Sequence, residues 1–256
     1  MPYERELMAA RAAAARAGEI ALRYRENGFA VETKADDSPV TEADRACEAQ
    51  IAAMLEQAFP QDGVLGEEGG LKRSQSGRRW IIDPIDGTRD FVRGNRLWAT
   101  LIGLEDNGEV VAGVAHFPAL EETYCAAQGL GSYRNDRRIA ASRTSDLSQA
   151  VFCLNGVQHI SRWAGRERLL DFCARCWAIR SLGGAPDAML VSSGKADGWL
   201  EMSAKPWDLA ALKIIAEEAG ARFFNLDGGS SIHGGNCILC APALEGAIRD
   251  SLLEGR

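Results

Sequence analysis

The chain has 256 residues, 46% apolar and 25% charged, enough for one large domain or two that share a core. Its formal net charge of -7, with no basic stripe or aromatic-interleaved Lys/Arg cluster, argues against nucleic acid as a partner. No apolar run approaches the roughly 18 residues of a membrane span, and charges interrupt MPYERELMAARAAAARAGEI, so the chain reads as cytoplasmic, without a membrane partner.

Residues 3–25, rich in Ala, Leu, Arg and Glu, predict a helix that Gly28 ends. The polar stretch VETKADDSPV that follows predicts a mobile loop. A second helix starts at TEAD, where Thr41 and Asp44 have capping-box spacing, and runs to Phe59 before Pro60. Short β-type runs come next: GVLGEE, RWIIDP, LWATLIGLE, EVVAGVAHF and EETYCAA. With turns at EDNGE and GLGS they predict a mostly antiparallel meander. After about Thr144, strand runs such as AVFCL, DGWLE and NCILCAP alternate with helical ones such as GRERLLDFCARCW, PDAMLVSSG and PWDLAALKIIAEEAG. The pattern predicts a layered α/β fold: an α+β half over 1–140 and an α/β half over 141–256, sharing a core across a soft boundary.

Seven cysteines, an odd number, fit reduced thiols better than a disulfide framework. Cys173/Cys176 and Cys237/Cys240 have the C-x2-C spacing of zinc sites, but about 60 residues separate them where roughly 15–20 is usual. The second pair also falls in a predicted strand, where i and i+3 face opposite sides, so buried thiols are expected.

Acids stand where predicted elements end: Asp44 at a helix start, Glu67 and Glu68 in GEE, Asp83 and Asp86 in WIIDPIDGT, and Asp208 in WDLAA. Capping, a solvated turn or a helix dipole accounts for Asp44, Glu67 or Asp208 taken singly. DPIDGT resists such a reading. Pro84 cannot donate a ladder bond, so the strand is expected to stop there with Asp83 at its end and Asp86 turning back toward it. Carboxylates and a backbone carbonyl, without His or Cys, are the hard ligands magnesium prefers. Gly87 and the Thr88 hydroxyl, opening a helix, can cradle an anion. Magnesium beside a phosphate cradle implies phosphoryl chemistry.

These strings, in this order and spacing, resemble the inositol monophosphatase family of magnesium-dependent phosphatases over nearly the whole chain. The resemblance implies an αβαβα five-layer sandwich, a homodimer, and two to three Mg2+ ions, with Mn2+ as a substitute. It implies that Glu67, Asp83 and the Ile85 carbonyl hold one ion, and Asp83, Asp86 and Asp208 a second. Asp44 and Thr88, with Glu67 as a further catalytic group, would orient the attacking water. Two ions about 3.5–4 Å apart could then clamp the attacking and leaving oxygens of an in-line displacement.

Phosphate contacts are expected at Asp86, Gly87, Thr88 and Asp208, and leaving-group contacts at Gly183, Gly184, Ala185 and Glu201. Glu201 could equally be a surface salt-bridge partner. VETKADDSPVTEADRACE, RGNRLWATLIGLE and HGGN resemble the histidinol-phosphatase branch, whose cationic substrate an acidic mouth would attract. Inositol-1-phosphate or a broader range of sugar and nucleotide phosphates is the alternative, and a catalytically silent regulatory protein is a third reading. Lys34 either approaches the metal site or stays solvated. Asp90 stands where many relatives have Asn, and caps or pairs with Arg93; Asp187 is left to a substrate cation or to solvent.

Overall fold

The computed structural model describes residues 2–34 and 39–253. Helix α1 (Glu4–Asn27) buries a stripe of alanines, Ala10, Ala13, Ala14, Ala17 and Ala21, and stops at Gly28, whose φ of 84° suits glycine. The segment expected to be a loop instead carries β1 (Val31–Thr33) and β2 (Pro39–Thr41), an antiparallel ribbon in which β-branched Val31 pairs with Thr41. The middle of that expected loop, residues 35–38, lies outside the described residues. Helix α2 (Glu42–Ala58) opens on the capping box that the Thr41/Asp44 spacing predicts.

A large sheet follows from β3 (Gly63–Gly66), β4 (Leu71–Lys72) and β5 (Arg78–Asp86). After the short helix α3 (Thr88–Arg93) it continues with β6 (Ala99–Asp106), β7 (Glu109–Phe117), β8 (Glu122–Ala127), β9 (Gly131–Arg134) and β10 (Arg137–Arg138). The order β10-β9-β8-β7-β6-β5-β3-β4 is the antiparallel meander anticipated, with one exception: β3 runs parallel to β5. Both therefore end at the same edge.

The second sheet is built from β11 (Val151–Asn155), then, past helices α4 (Val157–Ile160) and α5 (Arg166–Arg175), β12 (Ala178–Arg180). Helix α6 (Gly184–Ser192), β13 (Gly198–Glu201), helix α7 (Pro206–Glu218), β14 (Arg222–Phe224), β15 (Cys237–Cys240) and helix α8 (Glu245–Leu252) complete it, in strand order β12-β11-β13-β15-β14.

Period-2 alternation sorts the strand side chains into three cores. Trp80 and Ile82 face α1 and α2, while Ile81 faces the other way toward α7. In the second sheet Cys153, Trp199 and Leu239 join that middle core, and Phe152, Leu200 and Ile238 pack beneath α5 and α8. The layers are α1/α2, large sheet, α6/α7, small sheet, α5/α8: an αβαβα sandwich. Cys237 and Cys240 fall in different cores, as the strand period requires, and all seven cysteines are free thiols.

Helix α7 is the central beam, apolar on nearly every side from Leu209 to Ala216 because protein covers it all round. It touches the large sheet at Gly103 and Gly113, which face each other in the β6–β7 ladder. A Cβ on Gly103 would lie 2.6 Å from the Cβ of Ala210, and one on Gly113 2.6 Å from Cγ2 of Ile214. Only glycine permits this approach, which delivers the first turn of α7 to the ends of the large sheet.

Candidate active site

The acids converge at the ends of the parallel pair. Glu67 continues β3 beside β5 through a 3.1 Å hydrogen bond from its N–H to the Ile82 carbonyl, so it lies next to Asp83. Strand β5 does not stop at Pro84, contrary to the sequence expectation. Asp83 pairs with Leu101 and Asp86 with Ala99, so Pro84 and Ile85 together oppose Thr100 in a bulge. Proline is accepted because the bulge needs no ladder bond from its nitrogen. The Thr100 hydroxyl donates to the Pro84 carbonyl at 2.9 Å, and the Ile85 N–H donates to Asp83 Oδ1 at 3.1 Å. With one residue in excess, side chains three apart behave as if two apart, and Asp83 and Asp86 share a face.

Asp208 meets them from α7. Its carboxylate caps the helix, accepting the Lys205 N–H at 2.7 Å, and also joins the acid cluster. Asp44 has an analogous double position at the third residue of α2: Oδ2 accepts from the Thr41 N–H (2.8 Å) and hydroxyl (2.6 Å). Its Oδ1 is 3.4 Å from the Thr88 hydroxyl, which also lies 3.1 Å from the Ile85 carbonyl. The capping and functional readings of Asp44 and Asp208 are thus not exclusive.

Carboxylate oxygens of Asp83, Asp86 and Asp208 all lie within 4.8 Å of one another. Burial, then the charges of Glu67, Asp86 and Asp208, push Asp83 well above the usual carboxylate range. Burial pushes Asp86 up to about 6, with the charges of Glu67 and Asp90 adding to it although the Ala185 N–H pulls the other way. Asp208 is pushed up to about 8 by burial and by Asp86, Glu67 and Glu201. No cationic side chain among the described residues forms an ion pair with any of the three. A hard divalent cation fits this donor set, all carboxylate oxygen with a carbonyl at hand.

The remaining positions divide. Gly87 (φ 84°), Thr88, Gly183 and Gly184 line the same cleft of about 300 Å³ as the acids, together with Pro39, Arg89, Asp90 and Asn155. Ala185 is fully buried and its N–H is 3.1 Å from Asp86 Oδ2, so it steadies an acid and does not face the cleft. Glu201 is not a surface salt-bridge partner: it is buried and accepts from Asn155 Nδ2 at 2.6 Å, and burial pushes it up to about 7. Asp187 meets neither ligand nor solvent, being buried with the Leu182 and Gly183 N–H groups on its carboxylate. Asp90 accepts from the Asn95 side chain, not from Arg93. Lys34 bridges Glu67 (2.8 Å) and Glu68 (2.7 Å).

Sequence reasoning missed Glu48, Asn155 and Arg89. Glu48 is buried and fastens the GEE turn, taking the Glu68 N–H at 2.7 Å and the Gly70 N–H at 2.8 Å. Its only signal is a position one helical turn after Asp44.

A five-layer sandwich with an acid cluster of this composition at the strand ends defines a phosphoric monoester hydrolase scaffold, and comparison with known proteins agrees. The inositol monophosphatase family model matches residues 3–254. A histidinol-phosphatase of Mycobacterium tuberculosis is 38% identical over 254 residues, 97% of this chain and 96% of that one. An inositol-1-monophosphatase of Mesorhizobium japonicum is 36% identical over 79% of this chain and 77% of its own. The crystal structure of the extragenic suppressor protein suhB from Bartonella henselae superimposes with a TM-score of 0.88 at 30% identity, covering 97% of this chain and 98% of that one. The chain belongs to the inositol monophosphatase family.

Proposed function

We propose that the protein is a Mg2+-dependent histidinol-phosphatase, hydrolysing L-histidinol phosphate to L-histidinol and phosphate in histidine biosynthesis, as a cytoplasmic homodimer. The observation that supports the chemistry is the uncompensated trio of buried Asp83 with part-buried Asp86 and Asp208, beside Glu67. Similarity to the mycobacterial histidinol-phosphatase over 97% of the chain supports the substrate.

In this reading Glu67, Asp83 and the Ile85 carbonyl would hold one Mg2+, and Asp83, Asp86 and Asp208 would hold a second. Such ions, when bound, would supply charge to polarise the phosphate, to neutralise the leaving oxygen and to ease deprotonation of water. The Thr88 hydroxyl orients that water, and Asp44, raised above the ordinary carboxylate range by burial, takes its proton through Thr88. Gly87 and Thr88 receive the phosphate; Gly183 and Gly184 face the alcohol, and Glu201 acts on it through the Asn155 amide that it holds. Residues 1–140 thus carry most of the hydrolytic groups and residues 141–256 carry Asp208 and the leaving-group side.

A phosphate-release panel with Mg2+ tests this, comparing kcat/KM for histidinol phosphate, inositol-1-phosphate, fructose-1,6-bisphosphate and 3'-phosphoadenosine 5'-phosphate. Histidinol phosphate is expected to lead, and excess chelator to abolish release. Inositol-1-phosphate in first place would replace the substrate, consistent with the Mesorhizobium relative.

A further inference from the structure

Asp90 is a carboxylate on the cleft wall that the hydrolytic chemistry does not use. It lies in the second half of α3's first turn, half-buried, and lines the cleft together with Asp86, Gly87, Thr88 and Asn155. One oxygen, Oδ1, takes a short hydrogen bond from Asn95 Nδ2. Asn95 is itself locked, donating its N–H to the Asp90 carbonyl at 3.0 Å and accepting the Leu97 N–H at 2.6 Å. The carboxylate is therefore held in one orientation by a neutral amide. Among the described residues no Lys, Arg or His forms an ion pair with it, although Arg89 and Arg93 flank it in sequence.

A fixed, half-buried anion with no counter-charge is matched by a ligand that brings one. We propose that Asp90 is a specificity-determining residue that receives a primary ammonium group on the leaving alcohol, so that the cleft prefers aminoalcohol phosphates to neutral polyol phosphates. The inference rests on the phosphomonoesterase reading of the site but not on the identity of the alcohol. A carboxylate–ammonium contact at a half-exposed position changes affinity by about threefold to tenfold. A neutral polyol can satisfy the same oxygens only with hydroxyl donors, which are weaker partners for a charge.

The test is Asp90→Asn, which keeps shape and the Asn95 contact, measured on histidinol phosphate and on its deaminated analogue. Loss of about threefold to tenfold in kcat/KM for the ammonium substrate, chiefly through KM, with the deaminated ester changed less than twofold, is the expected result. Because Asp90 also acts on Asp86, a purely structural or electrostatic role would lower both esters alike, and that outcome, or no change in either, overturns the inference. A second readout does not need turnover: calorimetric binding of histidinol and of its deaminated counterpart to wild type and variant. Wild type should prefer histidinol and the variant should not; equal binding by wild type overturns the inference even if histidinol phosphate is hydrolysed. An Asp90-dependent preference in a protein that releases no phosphate from histidinol phosphate upholds the inference and overturns the proposed activity instead.

Discussion

Asp83 and Asp86 share one face of β5 because the ladder against β6 holds one residue too many between them. The bulge turns a spacing that would separate two carboxylates into one that presses them together. Their repulsion is a cost of the metal-free fold, and the most direct predictions follow from it.

Asp86→Asn removes a charge from the trio. We predict that the variant loses at least about a thousandfold in Mg2+-dependent phosphate release, as expected for a group needed in the transition state. Its metal-free form should melt higher than wild type at pH 8, by roughly 2–4 °C for each kcal/mol of repulsion relieved. An inactive variant with an unchanged or lower metal-free Tm would contradict the repulsion argument.

The same acids set a pH dependence. Asp86 and Asp208, raised in the folded protein to about 6 and about 8, bind protons more tightly folded than unfolded. Their stabilising contribution is complete below the ordinary carboxylate range and is lost as pH rises through 6 and then 8. In EDTA, Tm should therefore fall between pH 5 and pH 8.5 on their account, and the Tm gain from saturating Mg2+ should be larger at pH 8.5. Thermal melts with and without Mg2+ at three pH values check this; a pH-independent Mg2+ gain would argue against it.

Gly103→Ala forces a Cβ to within 2.6 Å of the Ala210 Cβ, with backbone of α7 close behind. The helix must shift, taking Asp208 with it. Destabilisation of about 1–3 kcal/mol in urea is expected, with a loss of activity at full folding. Ala210→Gly in the same chain should return part of both, a coupling that a double-mutant cycle measures.

Glu48→Ala releases the two N–H groups that hold the turn bearing Glu67. Such outer supports are worth about 10–100-fold in metal affinity. The Mg2+ concentration for half-maximal activity should rise by about that factor while activity at saturating Mg2+ falls less. An unchanged Mg2+ requirement would show that the turn stands without Glu48.

What was legible in the sequence and what was not differ in physical kind. An aspartate closing the apolar run WII is anomalous on its own, so DPIDGT, GEE and WDLAA could be picked out before any contact was known. A layered α/β fold was likewise readable from alternation, and its five layers only from family resemblance. The bulge was not, because a proline after Asp83 reads locally as a stop, and only the facing strand reveals that no ladder bond is required there. Asp187 looked available because its backbone partners, Leu182 and Gly183, become donors only when the turn before α6 is formed. Glu48 went unnoticed because its partners, the Glu68 and Gly70 N–H groups, meet it only when the GEE turn folds over α2. Gly103 and Gly113 carry no local signal, because what demands glycine there is a helix that packs from more than 90 residues away.

The cleft draws its groups from both halves of the chain. Glu67, Asp83, Asp86 and Thr88 come from the first half, Asn155, Gly183 and Gly184 from the second, with only Asp208 crossing to join the acids. In the proposed reading, Asp90 apart, hydrolysis and choice of alcohol are therefore inherited almost separately. Substitutions between residues 155 and 201 can drift toward a new metabolite while the bulge and its acids stay untouched. A scaffold divided in this way can supply different pathways without reinventing its chemistry, and its relatives do carry the names of different activities.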